Sequence, residues 1–252
     1  MFFCRATPHQ ITNNTMKLKS LLTLGLILPI STQAASLLTG GHMDGPAFGY
    51  VSNADVLLDP LLTQGFEPHY HNHGDPDAAV VDGVAQSAES EYAPGDLIVV
   101  VPELSVTTSS SINYYWLPET ELDASANGTP FLGIGIEELV PGDWIGGTVS
   151  LKLVSISGPG DFLLWQDDGF GGANVFFDSA GDSFTLAAGS HTHYNWGFTE
   201  KGIYGLEFEI SGNHGVDGLQ SASGLYTFQV IPEPTTTLLG AFGALALLRR
   251  RR

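Results

Sequence analysis

The segment GIYGLEFEISG, residues 202–212, predicts the fold class of the chain. Within it apolar and polar residues alternate, so that Leu206, Phe208 and Ile210 share one face of an extended chain. A period of two residues is typical of a strand with one buried and one solvated face. The acidic residues between them would lie on the solvated face.

Similar segments recur between glycine- and proline-rich turns: DLIVVVPEL, GTVSLKLVSIS, DFLLWQ, SFTLAAG and GLYTFQVI. Tyr204 lies in the pattern G-x-Y-x-L-x-F, which is typical of a late strand in immunoglobulin-like sandwiches, where a tyrosine bonds back across the corner. Patterns with a helical period are scarce. We therefore predict an all-β, antiparallel sandwich of immunoglobulin-like or jelly-roll type with long loops.

The chain is strongly acidic, with 27 Asp or Glu against 9 Lys or Arg and a net charge of −18. Between residues 35 and 231 the basic residues are Lys152 and Lys201. Such a surface repels phosphate backbones, which argues against nucleic acid as a partner. The single cysteine, Cys4, falls in a segment predicted to be removed. Any metal site must therefore use histidine and carboxylate ligands.

The N-terminal segment is typical of a secretory signal. Residues 16–19 supply positive charge, residues 21–30 are apolar, and small residues follow, with cleavage expected after Ala34. Met16 is a candidate start of the chain, because residues 1–15 do not fit a signal. We expect this segment to form a signal helix.

The C-terminal segment VIPEPTTTLLGAFGALALLRRRR resembles the PEP-CTERM sorting signal of Gram-negative bacteria. That resemblance implies an exosortase-type sorting enzyme as a partner and delivery to the cell envelope or outside. The apolar stretch of about 14 residues is shorter than the roughly 20 residues of a stable transmembrane helix, and the arginines would hold its end on the cytoplasmic side. We therefore predict a short hydrophobic helix that acts as a transient membrane anchor. An ordinary anchor helix is the alternative. The predicted parts are a signal peptide (1–34), a sandwich domain (35–230) and a sorting segment (231–252).

The histidines are concentrated in two short segments. EPHYHNHG carries His69, His71 and His73, and GSHTHYNW carries His191 and His193. Alternate residues of an extended chain are about 6.6 Å apart and point to one face. Each pair can therefore offer two nitrogen ligands to one metal ion.

The remaining ligands must come from elsewhere in the fold. His42 and Asp44 form another pair at alternate positions, and with His191 and His193 they would make a closed, thiol-free zinc site. His214 stands alone and is expected at the surface.

The polar region of residues 61–96 predicts a long loop, and such loops are functional or disordered. The triplet His69, His71 and His73 lies within it, and either binds metal or forms a disordered histidine-rich tract that binds weakly.

The segments around the histidines resemble one family of bacterial surface domains. GSHTHYNWGFTEKGIYGLEFEISG resembles the H-x-H-x-N-W-x-F-T-x-x-G-x-Y motif of choice-of-anchor M domains, and GPGDFLLWQDDGFGG and LLTGGHMDGPAFGY resemble other segments of that family. The resemblance covers most of residues 38–212. It implies that His42, His191 and His193 are motif histidines, with Asp44 beside the first. The triplet lies outside this motif.

The same resemblance implies that Asn195 and Trp196 are structural supports. Cyanobacterial proteins that combine this domain with a PEP-CTERM tail resemble a group repressed by the zinc-uptake regulator, and related actinobacterial domains accompany metal-uptake transporters. This implies expression during zinc scarcity and a metal-uptake transporter as a partner.

We therefore predict an exported surface protein, not an enzyme, that binds zinc or a similar divalent metal for capture or buffering. One alternative is a structural or adhesive module of the extracellular matrix without metal. The other is a metal-dependent hydrolase. No nucleophile motif supports it, and Glu137 and Glu138, expected in a strand, would face opposite ways.

Overall fold

The computed structural model describes residues 34–107 and 112–231. The predicted signal helix and C-terminal hydrophobic helix lie outside these residues. The strands are β1 (Ser36–Val51), β2 (Gly65–Asn72), β3 (Val80–Val81), β4 (Val84–Ala85), β5 (Ser90–Tyr92), β6 (Leu97–Val101), β7 (Ser105–Thr107), β8 (Asn113–Leu117), β9 (Pro130–Gly135), β10 (Thr148–Ser157), β11 (Phe162–Asp167), β12 (Ala173–Phe177), β13 (Ser183–Ala187), β14 (His191–His193), β15 (Asn195–Phe198), β16 (Gly202–His214) and β17 (Gly218–Val230).

Two short α-helices lie in connections between strands, although the sequence predicted none there. They are α1 (Asn53–Leu58) and α2 (Glu121–Asn127), and single-turn 3₁₀ helices span Pro141–Asp143 and Ile145–Gly147. Ser52 caps α1 and Thr120 caps α2, because each side chain accepts a hydrogen bond from the first turn. Within residues 34–107 and 112–231, no helix combines the length and the apolar character that crossing a membrane requires.

The strands form two sheets. The larger has the order β13-β10-β16-β17-β6-β1-β2-β5, with β9, β14, β3 and β4 attached beside β1, and the smaller has the order β12-β11-β15-β8-β7. The prediction of an all-β sandwich is confirmed in this coarse form. The prediction of antiparallel pairing is wrong in part, because β1 pairs in parallel with both β6 and β9, and β17 pairs in parallel with β6.

The core lies between the sheets. Trp196 of the smaller sheet stacks on Phe228 of the larger at 5.4 Å between ring centroids, and Phe198 packs against Tyr204 at 4.8 Å. The alternation in β16 has the predicted sense, since Phe208 is fully buried. Tyr204 also makes the predicted corner, because its hydroxyl donates to the Glu200 carbonyl and accepts from the Glu200 N–H.

The region of residues 61–96 is not the predicted long loop. It contains β2, β3, β4 and β5, and residues 67–72 of the histidine triplet segment belong to β2, which pairs with β1. The alternative of a disordered triplet is therefore wrong as well. Polar side chains on the buried face of β2 hide its period, and Pro68 weakens the strand pattern further.

Candidate metal centre

The site is built on β9, one face of which carries two glycines. Leu132 and Ile134 point into the core and are fully buried, whereas Gly133 and Gly135 face the other way. Gly133 lies between Asp44 of β1 and His193 of β14 in the sheet register. A methyl group at Gly133 would overlap the Asp44 carboxylate and lie 3.1 Å from His193 Nε2. The missing side chains therefore leave room for those of the neighbouring strands.

A first ligand group consists of His42, Asp44, His191 and His193, whose ligand atoms all lie within 4.8 Å of one another. His42 Nε2 is 2.9 Å from His193 Nε2 and 3.4 Å from Asp44 Oδ1. His193 Nε2 is 3.9 Å from the same oxygen. Ligands at about 2.0–2.1 Å from a tetrahedral zinc ion are separated by about 3.3–3.4 Å. The observed spacings scatter around that value, so these residues could hold a metal ion.

Two further groups adjoin the first. His69 Nε2 and His71 Nδ1 lie 3.1 Å and 3.0 Å from one oxygen of Glu138. His73 Nε2 lies 3.0 Å from Asp44 Oδ2 and 3.4 Å from Glu137 Oε1.

The three groups form one continuous surface. The rings of His71 and His73 stack at 4.6 Å between centroids, and those of His42 and His73 stack at 5.0 Å. His73 also lies 6.1 Å from the ring of His191. We call this surface the histidine face; its histidines are His42, His69, His71, His73, His191 and His193.

Several carboxylate oxygens in this surface accept no hydrogen bond from the described residues. Asp44 is fully buried, and its Oδ1 accepts no hydrogen bond from the described residues. Both carboxylate oxygens of Glu137 are buried and equally without a donor in the described part of the chain. Lys201 pairs with Glu103, and Lys152 lies on β10, which contributes nothing to the site. A buried carboxylate oxygen that accepts no hydrogen bond is stabilised by a proton or by a cation.

The site shifts the pKa values of its groups in different directions. Burial opposes ionisation of Asp44, but contacts with His42 and His73 outweigh it and hold the pKa of this carboxyl well below its usual range. Burial and the adjacent Asp44 charge raise the pKa of Glu137. Burial and the neighbouring His42 lower the pKa of His193 to about 4. His193 is therefore neutral at neutral pH and has a lone pair available for a metal.

Other contacts fix the orientation of the rings. Phe131 stacks on His193 with centroids 3.7 Å apart and ring planes within 6°. His69 places Nδ1 at 2.8 Å from the Glu67 carbonyl, so that Nδ1–H can donate there and leave Nε2 free to bind a metal. Because these rings are already held in place, metal binding costs less side-chain conformational entropy.

The structure brings together all seven sequence-predicted ligands. The first group consists of His42, Asp44, His191 and His193, and the second contains His69 and His71. His73 belongs to the third group, together with Asp44. The sequence reasoning missed three carboxylates: Glu89, Glu137 and Glu138.

The two adjacent glutamates were expected in a strand, but they lie in the turn after β9. Glu138 turns toward His69 and His71, and Glu137 toward His73. Glu89 lies 3.2 Å from His71 Nε2. The segment GIGIEEL carried the available signal, because its alternating glycines leave one face of a strand empty directly before two carboxylates.

The expectation for His214 is wrong. It is buried against Trp144 and Tyr50, and its Nδ1 accepts a hydrogen bond from the Asp217 N–H. The surrounding rings take up its apolar surface, so it belongs to the packing of the hairpin between β16 and β17.

Asn195 and Trp196 make structural contacts behind the site. The Asn195 side chain accepts from the Trp116 indole and the Glu119 N–H and donates to the Glu119 carboxylate. The Trp196 indole donates to the carbonyl of Leu132 on β9, one residue before Gly133. Comparisons of the chain with protein families, with characterised proteins and with solved structures found no match.

Proposed function

We propose that this chain is an exported protein that binds zinc, or a similar divalent metal, and captures or buffers it outside the cell. The observation that carries the proposal is the convergence of His42, Asp44, His191 and His193 within 4.8 Å. They come from β1 and β14, which are far apart in the chain and both pair with β9.

The type of ligand favours a zinc-like ion. Three imidazoles and one carboxylate suit zinc and its neighbours, whereas calcium and magnesium prefer oxygen ligands. Four protein ligands complete a tetrahedral shell, which is typical of sites that hold an ion; catalytic sites usually keep one position open. Holding the ion therefore fits this group better than catalysis.

Three properties of the sequence support a role outside the cell. The N-terminal segment fits a secretory signal, and the C-terminal segment resembles a sorting signal, which suggests an exosortase-type enzyme and the cell envelope or exterior. The ligand set contains no thiol, so oxidising surroundings would leave it intact. A metal-uptake transporter is the partner that would receive the metal.

Isothermal titration of the metal-stripped full chain with Zn²⁺ tests the proposal. The double variant His191→Ala/His193→Ala should bind far more weakly than the unaltered chain. Thr192→Ala, in the same strand between the two ligands, is the matched control and should bind as the unaltered chain does. Binding weaker than millimolar, or binding unchanged in the double variant, would contradict the proposal and favour a structural or adhesive module.

One observation favours a second candidate function. A cavity of about 390 Å³ opens beside His42 and is lined by Phe131, Ala78 and Glu121. Cavities of this size can hold a small substrate. A screen for esterase and phosphatase activity with and without chelator distinguishes a metal-dependent hydrolase from a metal carrier, since only the hydrolase shows turnover that the chelator removes.

A further inference from the structure

The two oxygens of Asp44 face different ligand groups. Oδ1 lies 3.4 Å from His42 Nε2, and Oδ2 lies 3.0 Å from His73 Nε2. A carboxylate that presents one oxygen to each of two groups can bridge two metal ions. We propose that Asp44 bridges a pair of divalent cations, the second of which is held by Asp44 Oδ2, His73 and Glu137. This inference rests on the proposed function, because the two ions share Asp44.

The group of Asp44, His73 and Glu137 has the spacing of a coordination shell. Glu137 Oε1 lies 3.4 Å from His73 Nε2, and the ligand atoms of Asp44, His73 and Glu137 all lie within 4.8 Å of one another. These separations are close to the edge of about 3.3–3.4 Å expected around a tetrahedral ion of zinc size.

Charge provides an independent argument. An ion in the first group would neutralise Asp44, but it would leave the Glu137 carboxylate with only the His73 imidazole beside it. Both oxygens of Glu137 are buried and accept no hydrogen bond from the residues that the structure describes, although its side chain as a whole is 27 % exposed. A second cation between Glu137 and Asp44 removes the repulsion between the two carboxylates.

Strand β9, beneath Asp44, His73 and Glu137, is shaped to keep this space open. A methyl group at Gly135 would lie 2.9 Å from Asp44 Cβ and 2.9 Å from Glu137 Oε2. Only glycine lets the two carboxylates approach each other across β9. Gly133 has the same effect for the first group, so each ion would have a glycine beneath it.

The two ions would differ in how firmly they are held. The first has four protein ligands, whereas the second has three and keeps a coordination position open. Two ions that share a carboxylate are about 3.5–4 Å apart. The second ion is therefore the one that exchanges with solvent or with an acceptor, and the first is retained.

Counting ions in the metal-stripped full chain tests the inference. Zn²⁺ is titrated against a chromophoric chelator, and bound metal is measured by elemental analysis after gel filtration. Glu137→Gln should lose one ion per chain relative to the unaltered protein and keep its tightest ion with less than about a threefold change. Glu209→Gln, which removes the same charge from β16, is the control and should lose none. An additional ion at His69, His71 and Glu138 would add equally to the count of every protein. The test therefore depends on the difference in ion count between the unaltered chain and the variants.

A magnetic readout shows whether the ions are adjacent. With Co²⁺ the unaltered chain should give the electron paramagnetic resonance of a coupled pair, and Glu137→Gln that of an isolated ion. Equal ion counts in the two proteins, or two uncoupled ions in the unaltered chain, would overturn the inference. If the unaltered chain binds no ion, the proposed function fails; if it binds one ion that Glu137→Gln retains, only the second ion is refuted.

Discussion

Strands β16 and β9 follow the same alternation and use their outer faces differently. Both direct every second side chain into the core, such as Phe208 in β16 and Ile134 in β9. The other face of β16 carries Glu207 and Glu209, which are half-exposed, whereas the other face of β9 carries Gly133 and Gly135. The buried faces define the sandwich, and the outer faces determine what each part of the surface can do.

The difference gives the acidic residues of the two strands' outer faces different surroundings. Glutamates on β16 extend into water, where each charge is solvated and Glu207 accepts a hydrogen bond from Ser155. On β9 the absence of side chains lets Asp44 cover the strand from β1, where it is fully buried beside histidines. A solvated carboxylate needs no partner, whereas a buried one does.

The largest effect should come from breaking the buried face of β16. Phe208→Ala removes a fully buried ring that packs near Trp196 and Tyr226, and we expect the free energy of unfolding to fall by about 3–5 kcal/mol. Denaturant unfolding measures it. The zinc affinity of the molecules that remain folded should not change, since β16 supplies no ligand. A loss below about 1 kcal/mol would show that the core does not depend on this face.

The next effect concerns the outer face beside β9. Asp44→Asn removes the shared carboxylate charge, and we expect zinc affinity to fall at least about 100-fold, equivalent to about 2.7 kcal/mol. Glu209→Gln removes one charge from the outer face of β16 and should leave the affinity unchanged. Competition titration compares the two. Equal losses would mean that overall negative charge attracts the metal and that no specific site exists.

The sequence predicted those parts of the fold that depend on local alternation. β6, β10, β11, β13, β16 and β17 were all recognised as strand-like segments between turns, several of them from their alternation. β2 was missed because its buried positions include His69 and His71, which read as polar. The parallel pairing of β1 with β6 and β9 was also missed, because it depends on contacts between distant segments that no local pattern encodes.

The candidate ligands followed the same division. His191 and His193 were recognised from their spacing, and the choice of His42 and Asp44 as their partners came from spacing and from family resemblance. Glu138 was set aside because adjacent residues in a strand face opposite ways, but β9 ends at Gly135 and the turn after it brings the side chain back to the histidines. Local patterns predict the last residue of a strand least well, with an error of a residue or two.

A smaller effect should come from filling the space above Gly133 on β9. Gly133→Ala places a methyl group in the space of the Asp44 carboxylate, so Asp44 must move, and we expect about a tenfold loss of zinc affinity, near 1.4 kcal/mol. Gly40→Ala in β1 is the matched control, because its new methyl group would meet only Val80 at 3.8 Å. Chelator competition measures both. An unchanged affinity in Gly133→Ala would show that the empty face of β9 is not required.

The smallest effect should appear at the corner before β16, away from the histidine face. Tyr204→Phe keeps the buried ring but removes the hydroxyl that bonds to both backbone groups of Glu200. We expect the free energy of unfolding to fall by about 1 kcal/mol, the usual net value of such hydrogen bonds, with zinc affinity unchanged. Denaturant unfolding of the metal-free and zinc-loaded chains separates the two quantities. If the variant lost zinc affinity at constant stability, the corner and the histidine face would be coupled. The packing of the sandwich and the binding of metal would then not be separable.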